Sequence, residues 1–112
     1  MAERRWSLDA ARALLPDVRR RTEKAVAEAE ALLQERDQYP PASRAFREAH
    51  ARAEAVVERW AREMEALGLE VKGLWLVDFD CGAGCYCWRW PETELSFYHG
   101  YEDGFEGRVP IQ

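Results

Sequence analysis

The sequence predicts an α+β fold in which a long antiparallel helical hairpin precedes a small three-stranded antiparallel β-meander packed on it. Two observations predict it. Up to about residue 67, apolar side chains recur in steps of three and four, the period of a helix with one buried face. Beyond Gly68 the pattern changes to short runs rich in aromatic and β-branched residues, separated by turn material. The helical half has one break, Tyr39-Pro40-Pro41, and so short a connection makes the two helices antiparallel neighbours.

The elements follow in order. Ser7 suits an N-cap and Asp9 complements the first helix dipole. Leu8, Ala11, Leu15, Val18, Thr22, Ala25, Ala29 and Leu32 then form the first stripe. Pro16 falls within it and should kink the helix near Arg12–Leu15, or begin a second segment. Helix 1 should end near Arg36. Pro41 suits the first turn of helix 2, whose stripe runs from Ala42 through Phe46, Val56 and Trp60 to Leu67, with Gly68 closing it as a C′ residue. Leu74–Phe79, Cys85–Trp90 and Leu95–His99 read as strands, with Glu70–Lys72 leading in and an irregular tail at Gly104–Gln112. With 112 residues there is room for one domain, residues 1–112, divided into a hairpin (about 7–67) and a sheet with its tail (about 68–112).

Charge separates the halves. Residues 1–67 carry 13 basic and 13 acidic side chains, whereas residues 68–112 carry 3 basic and 8 acidic, which accounts for the net charge of −5. The sheet half offers a polyanion no basic field, and acids follow Arg19-Arg20-Arg21 closely, so a nucleic-acid partner is not expected. No apolar run reaches the roughly 18 residues a membrane span needs. The N-terminal residues enter a polar helical pattern instead of an apolar signal core, so the expected location is the cytoplasm, with no membrane partner. There Cys81, Cys85 and Cys87 are free thiols. Fourteen Arg against two Lys, with no Asn, resemble a heat-adapted composition, and a GC-rich genome gives the same bias.

A length mismatch bears on assembly. Helix 1, at about 29 residues, spans on the order of 43 Å, whereas six-residue strands span only about 20 Å. Part of the apolar stripe is left without cover, and a homodimer through the hairpin would bury it.

Three groups of residues carry candidate chemistry. Cys81, Cys85 and Cys87 with His99 could supply four zinc ligands. A hairpin turning over Glu92-Thr93, however, pairs Trp90 with Leu95, Trp88 with Phe97 and Tyr86 with His99. That register puts His99 on the aromatic face and Cys85 and Cys87 on the other, which argues against zinc at the thiols. His99 with Glu102 and Asp103, joined by Asp78 or Asp80 from a neighbouring strand, could instead bind a divalent metal or act as an acid–base pair. The alternative is a hydrogen-bonded core histidine. Gly104-Phe105-Glu106-Gly107-Arg108 could cup an anion with Arg108 as clamp, or Arg108 could pin the tail by pairing with Asp78 or another sheet carboxylate. No Gly-rich phosphate loop, G-x-S-x-G or H-E-x-x-H occurs. No cofactor is predicted, no catalytic residue can be assigned, and the lack of a complete catalytic set reads against an enzyme.

The order Leu76-Val77-Asp78-Phe79, Cys87-Trp88-Arg89, Glu92-x-Glu94, Tyr98-His99 and Gly104-Phe105-x-Gly107-Arg108-x-Pro110 resembles the small bacterial family catalogued as domain of unknown function 2203. Where family members tend to read C-W-R-x-G-E, this chain has Trp90-Pro91 before Glu92, and Tyr98 stands where a Trp often precedes the His. The resemblance implies the architecture and no particular reaction. It directs attention to Trp88, Glu92, His99, Gly107 and Arg108. The residue-level reading is therefore a homodimeric interaction or ligand-binding module, with a metal or acid–base site on His99 as the alternative.

Overall fold

A computed structural model describes residues 5–112. Helix α1 (Leu8–Arg36) and helix α2 (Arg44–Ala66) form the antiparallel hairpin. They are followed by β1 (Glu70–Gly73), β2 (Leu76–Asp80), β3 (Cys85–Arg89) and β4 (Phe97–His99), then a short 3-10 turn and β5 (Val109–Pro110). The sheet has five strands in the order β1-β2-β3-β4-β5, each antiparallel to its neighbours. The expectation of three strands is thus corrected. The lead-in at Glu70 pairs with Asp78, and the tail expected to be irregular returns to pair Val109 with Tyr98.

Local chemistry explains the helix ends. The Ser7 hydroxyl accepts from the Ala10 N–H, as an N-cap does, and Trp6 before it donates its backbone N–H to Asp80 O at 2.7 Å. α1 runs unbroken through Pro16, so the alternative of a second helical segment does not occur. Helix α2 begins at Arg44 and not at Pro41. Ser43 caps it by accepting from Phe46 N–H at 3.1 Å and donating to Pro40 O at 2.6 Å, which outweighs the preference of Pro41 for a first turn. At the other end Gly68 takes φ 92°, its N–H reaching Glu65 O and the Leu69 N–H reaching Met64 O. This is the paired 5→2 and 6→1 closure that a left-handed C′ glycine permits.

The core lies between the hairpin and one face of the sheet. Trp60, fully buried, donates Nε1–H to the buried Thr22 hydroxyl at 2.8 Å and meets Trp75 edge-on at 5.0 Å. Val77, Phe79 and Trp88 come from the sheet, and Leu15, Val18 and Met64 from the helices. Trp6 closes one end against Phe79, ring centroids 5.4 Å apart. Among the described residues no helix is long and apolar enough to cross a membrane.

The sheet covers only part of the hairpin. The molecule is 49 Å in its longest dimension, and on the uncovered stretch a shallow groove of about 300 Å³ runs between the helices. Val26, Leu33, Ala53 and Val57 line it, beside Leu74, which is 60% exposed.

Candidate metal centre

Strand pairing decides which side chains can meet. Cys85 pairs with His99 and Cys87 with Phe97, one residue out of the register expected from a turn over Glu92-Thr93. The cause lies in the connection. The chain reverses early, with Glu92 N–H returning to Arg89 O at 2.9 Å and a cis bond joining Trp90 to Pro91. Trp88 Nε1–H donates to Glu92 O, and the Glu92 carboxylate accepts from the Arg89 N–H. Leu95, expected in the strand, is instead buried as part of the core, with its carbonyl accepting from the Arg12 guanidinium. The loop therefore spans residues 90–96, and β4 starts at Phe97.

Because side chains alternate along a strand, a one-residue shift moves every one of them to the opposite face. The expected separation of His99 from the thiols is therefore corrected. Asp78, Cys85, Cys87, Phe97 and His99 share the outer face, away from the helices. Val77, Phe79, Tyr86, Trp88 and Tyr98 share the inner one. Trp88, expected beside His99, is buried on the helix side. The tail that follows β4 lies over the outer face, so Asp78, Cys85, Cys87 and His99 are all at most 5% exposed.

Three of these side chains converge. One donor atom each from Asp78, Cys87 and His99 lies within 4.8 Å of the other two. His99 Nε2 is 2.9 Å from Asp78 Oδ2, and its Nδ1 is 2.8 Å from the Gly100 carbonyl oxygen. A carbonyl only accepts, so Nδ1 carries hydrogen and Nε2 faces the carboxylate. The pair must then hold one further proton, on Nε2 or on Asp78, for the 2.9 Å contact to be a hydrogen bond. Burial pushes the Asp78 carboxyl above the usual carboxylate range, opposed by His99 and, more weakly, by the nearby Cys87 thiol. Among the described residues its Oδ1 has no hydrogen-bond partner. Burial, reinforced by Asp78, also pushes the Cys87 thiol up to about 12, and Cys85 rises to about 12 for the same reasons, so both are protonated at neutral pH in the protein without an ion. A second triad, Glu70, Asp78 and Cys85, shares Asp78 but includes the exposed Glu70.

The remaining candidate residues lie around this centre. Glu102 and Asp103 stand exposed on the turn after His99, where Asp103 Oδ2 accepts from the Gly100 N–H, so neither meets the His99 ring. Asp80 accepts instead from the Tyr101 hydroxyl at 2.7 Å and from the Gly82 N–H. Arg108 is stacked between Phe97 and Phe105, its guanidinium carbon 4.0 Å and 4.3 Å from the ring centroids. It pairs with Glu92 at 2.6 Å and reaches Cys87 Sγ at 4.0 Å. Its partner is therefore a loop carboxylate and not Asp78. Gly104 alone of the two tail glycines takes a positive φ, 65°. At Gly107 an added Cβ would stand 2.8 Å from the Asp103 Cβ, so that position requires the close approach only Gly allows.

Beside the centre, a cleft of about 240 Å³ opens between sheet and tail, lined by Lys72, Leu76, Asp78, His99, Tyr101 and Phe105. Cys87 is the member of this cluster that the sequence pattern alone places apart from His99. The available signal was Trp90-Pro91, which favours a turn directly after Arg89.

No curated protein and no solved structure matches the chain. The family description that does match covers residues 4–111, nearly the whole length, and includes every side chain of the centre. In agreement with the resemblance carried by Leu76–Pro110, the chain belongs to the family described as uncharacterized conserved protein (DUF2203).

Proposed function

We propose that this protein is a metal-binding module in which Asp78, Cys87 and His99 hold one divalent ion of the zinc class. The observation that carries the reading is the convergence of an oxygen, a sulfur and a nitrogen donor, all buried, on a carboxylate whose second oxygen lacks a partner among the described residues. A buried polar atom without a partner costs about 1–3 kcal/mol, and an ion would satisfy it. Mixed N, O and S donors suit zinc or cobalt(II) better than magnesium or calcium, which prefer all-oxygen shells. The Nδ1–H on the Gly100 carbonyl is the outer contact that orients a ligating imidazole with Nε2 free for the ion. Ligation by His99 Nε2 and the Asp78 carboxylate would displace the proton that the two share. Three free thiols fit action in a reducing cytoplasm.

Elemental analysis after dialysis against a buffered trace of zinc tests the reading. The wild-type protein is expected to retain one ion per chain. Cys87→Ser and His99→Ala should each weaken retention at least 100-fold. Wild type that holds no stoichiometric zinc, cobalt or manganese sinks the proposal.

A second reading concerns assembly. The groove lined by Val26, Leu33, Ala53 and Val57, with Leu74 standing out beside it, favours a homodimer that pairs two hairpins. A second copy supplies a matching apolar stripe of the same length, which the short strands of this sheet cannot. Light scattering at micromolar concentration should give twice the chain mass, and Val57→Glu with Leu74→Glu should return the mass of a single chain. A monomeric wild type disposes of this reading without touching the first.

A further inference from the structure

The geometry points to a ligand as well as an ion. We propose that the ion held by Asp78, Cys87 and His99 keeps its fourth position open towards the cleft between Leu76 and Phe105, and there takes a small monocarboxylate whose charge Lys72 meets. The inference rests on the metal reading above and goes beyond it.

Three observations carry it. First, zinc with four protein ligands makes a closed structural site, whereas three leave a position for water or an exogenous ligand. Here the mutually close donors number three among the described residues, and Cys85 groups with Asp78 and Glu70 instead of completing the set. Second, the open side is not solid protein. Asp78 and His99 themselves form part of the wall of the 240 Å³ cleft, room for the volume of about eight waters.

Third, the cleft is lined by charged and apolar side chains together. Zinc with the Asp78 carboxylate, the Cys87 thiolate and a neutral imidazole sums to zero, so an added monoanion leaves one negative charge. Lys72 is the cation lining the cleft, and only half of its side chain is exposed. Its present partner, Glu70, is 3.5 Å away across an exposed surface, a weak contact that a ligand could share. Leu76 and Phe105 give the cleft an apolar wall, which suits a short hydrocarbon chain and not a phosphate. The Tyr101 hydroxyl is already committed to Asp80, so it does not compete for the carboxylate.

Cobalt(II) stands in for zinc and reports its own coordination in the visible spectrum. The full chain loaded with cobalt is titrated with butyrate, with acetate and inorganic phosphate as comparisons. Butyrate should change the visible bands saturably and bind several-fold more tightly than acetate, with phosphate weaker than either. Lys72→Gln should weaken butyrate about tenfold and leave the cobalt content at one per chain. Cys85→Ser should also keep its cobalt. A fully loaded protein whose spectrum ignores butyrate overturns the open position and leaves the metal reading standing. Equal binding of acetate and butyrate, or loss of cobalt in Cys85→Ser, overturns it as well. A chain that takes up no cobalt removes both.

Discussion

Trp60→Ala is expected to cost about 4–5 kcal/mol of folding stability, the upper end for truncating a buried aromatic side chain. Trp60 is fully buried, and its indole joins the two helices and the sheet. Truncation removes its apolar area, opens a cavity next to Trp75 and leaves the Thr22 hydroxyl, also fully buried, without its donor. Those losses act together at one place, so relaxation cannot recover much. Total stability of a domain this size is typically about 5–15 kcal/mol. Urea denaturation should therefore show a midpoint lowered by about a third or more, or a chain largely unfolded at 37 °C. Trp60→Phe, which keeps a ring and loses the hydrogen bond, should fall between the two. A loss below 2 kcal/mol for the alanine variant would mean that the hairpin and sheet are far less dependent on this contact than their packing implies.

Asp78→Asn should separate stability from binding. Asparagine nearly matches aspartate in shape and can donate an amide hydrogen to His99 Nε2, so the 2.9 Å contact survives. It also removes a carboxyl whose ionised form burial disfavours. The sign follows from the raised pKa. Ionising Asp78 costs the folded state more than the unfolded one, so its contribution to stability is present below the ordinary value of 3.8 and is lost as pH rises through the raised folded value. The metal-free variant should thus be at least as stable as wild type at neutral pH, with its relative advantage growing as pH rises from 3.8 through the raised folded value and level above it. Zinc tells the opposite story. Wild type should gain about 2.7 kcal/mol at a free zinc concentration 100 times its dissociation constant, and Asp78→Asn should gain nothing measurable there. Affinity in the wild type should rise about 10- to 100-fold per pH unit, because the ion must displace the Cys87 proton and the proton shared by Asp78 and His99. Thermal melts with and without zinc at several pH values read all of this. If the asparagine variant melts well below wild type without metal, Asp78 is a structural residue and its burial has another explanation.

Much of the fold was legible because it rests on local signals. The three–four stripe, Ser7 and Gly68 each act through residues within one or two turns of themselves, and the structure shows the cap and the closing turn where the pattern predicts them. Pro40 and Pro41 mask the signal of Ser43, whose hydroxyl serves both Phe46 and Pro40. The edge strands were harder to see. Val109-Pro110 is too short to show alternation, and its pairing with β4 depends on how the tail folds back over the sheet. The site was legible in part. The sequence brings His99 together with Asp78, whereas the register it suggests puts Cys87 on the opposite face. That error came from one residue of register, which no periodicity within β3 or β4 could have corrected. Parity within a strand is a local property, whereas register depends on the loop, and this loop is set by contacts of Trp88, Arg89 and Leu95 with partners in the loop and helix α1.

The order of the five strands gives the molecule an uneven resistance to opening. Every strand pairs with its neighbour in sequence, and Asp78, Cys87 and His99 sit on three consecutive ones. An ion at their meeting point would clasp β2, β3 and β4 to one another. It would have no hold on the hairpin tip around Arg36–Ser43, which lies beyond the reach of the sheet. Amide exchange would then slow in the strands and stay fast at the tip. The protein would behave as two cooperative units joined at the Trp60 layer, one set by its ligand and the other by whatever covers the helices.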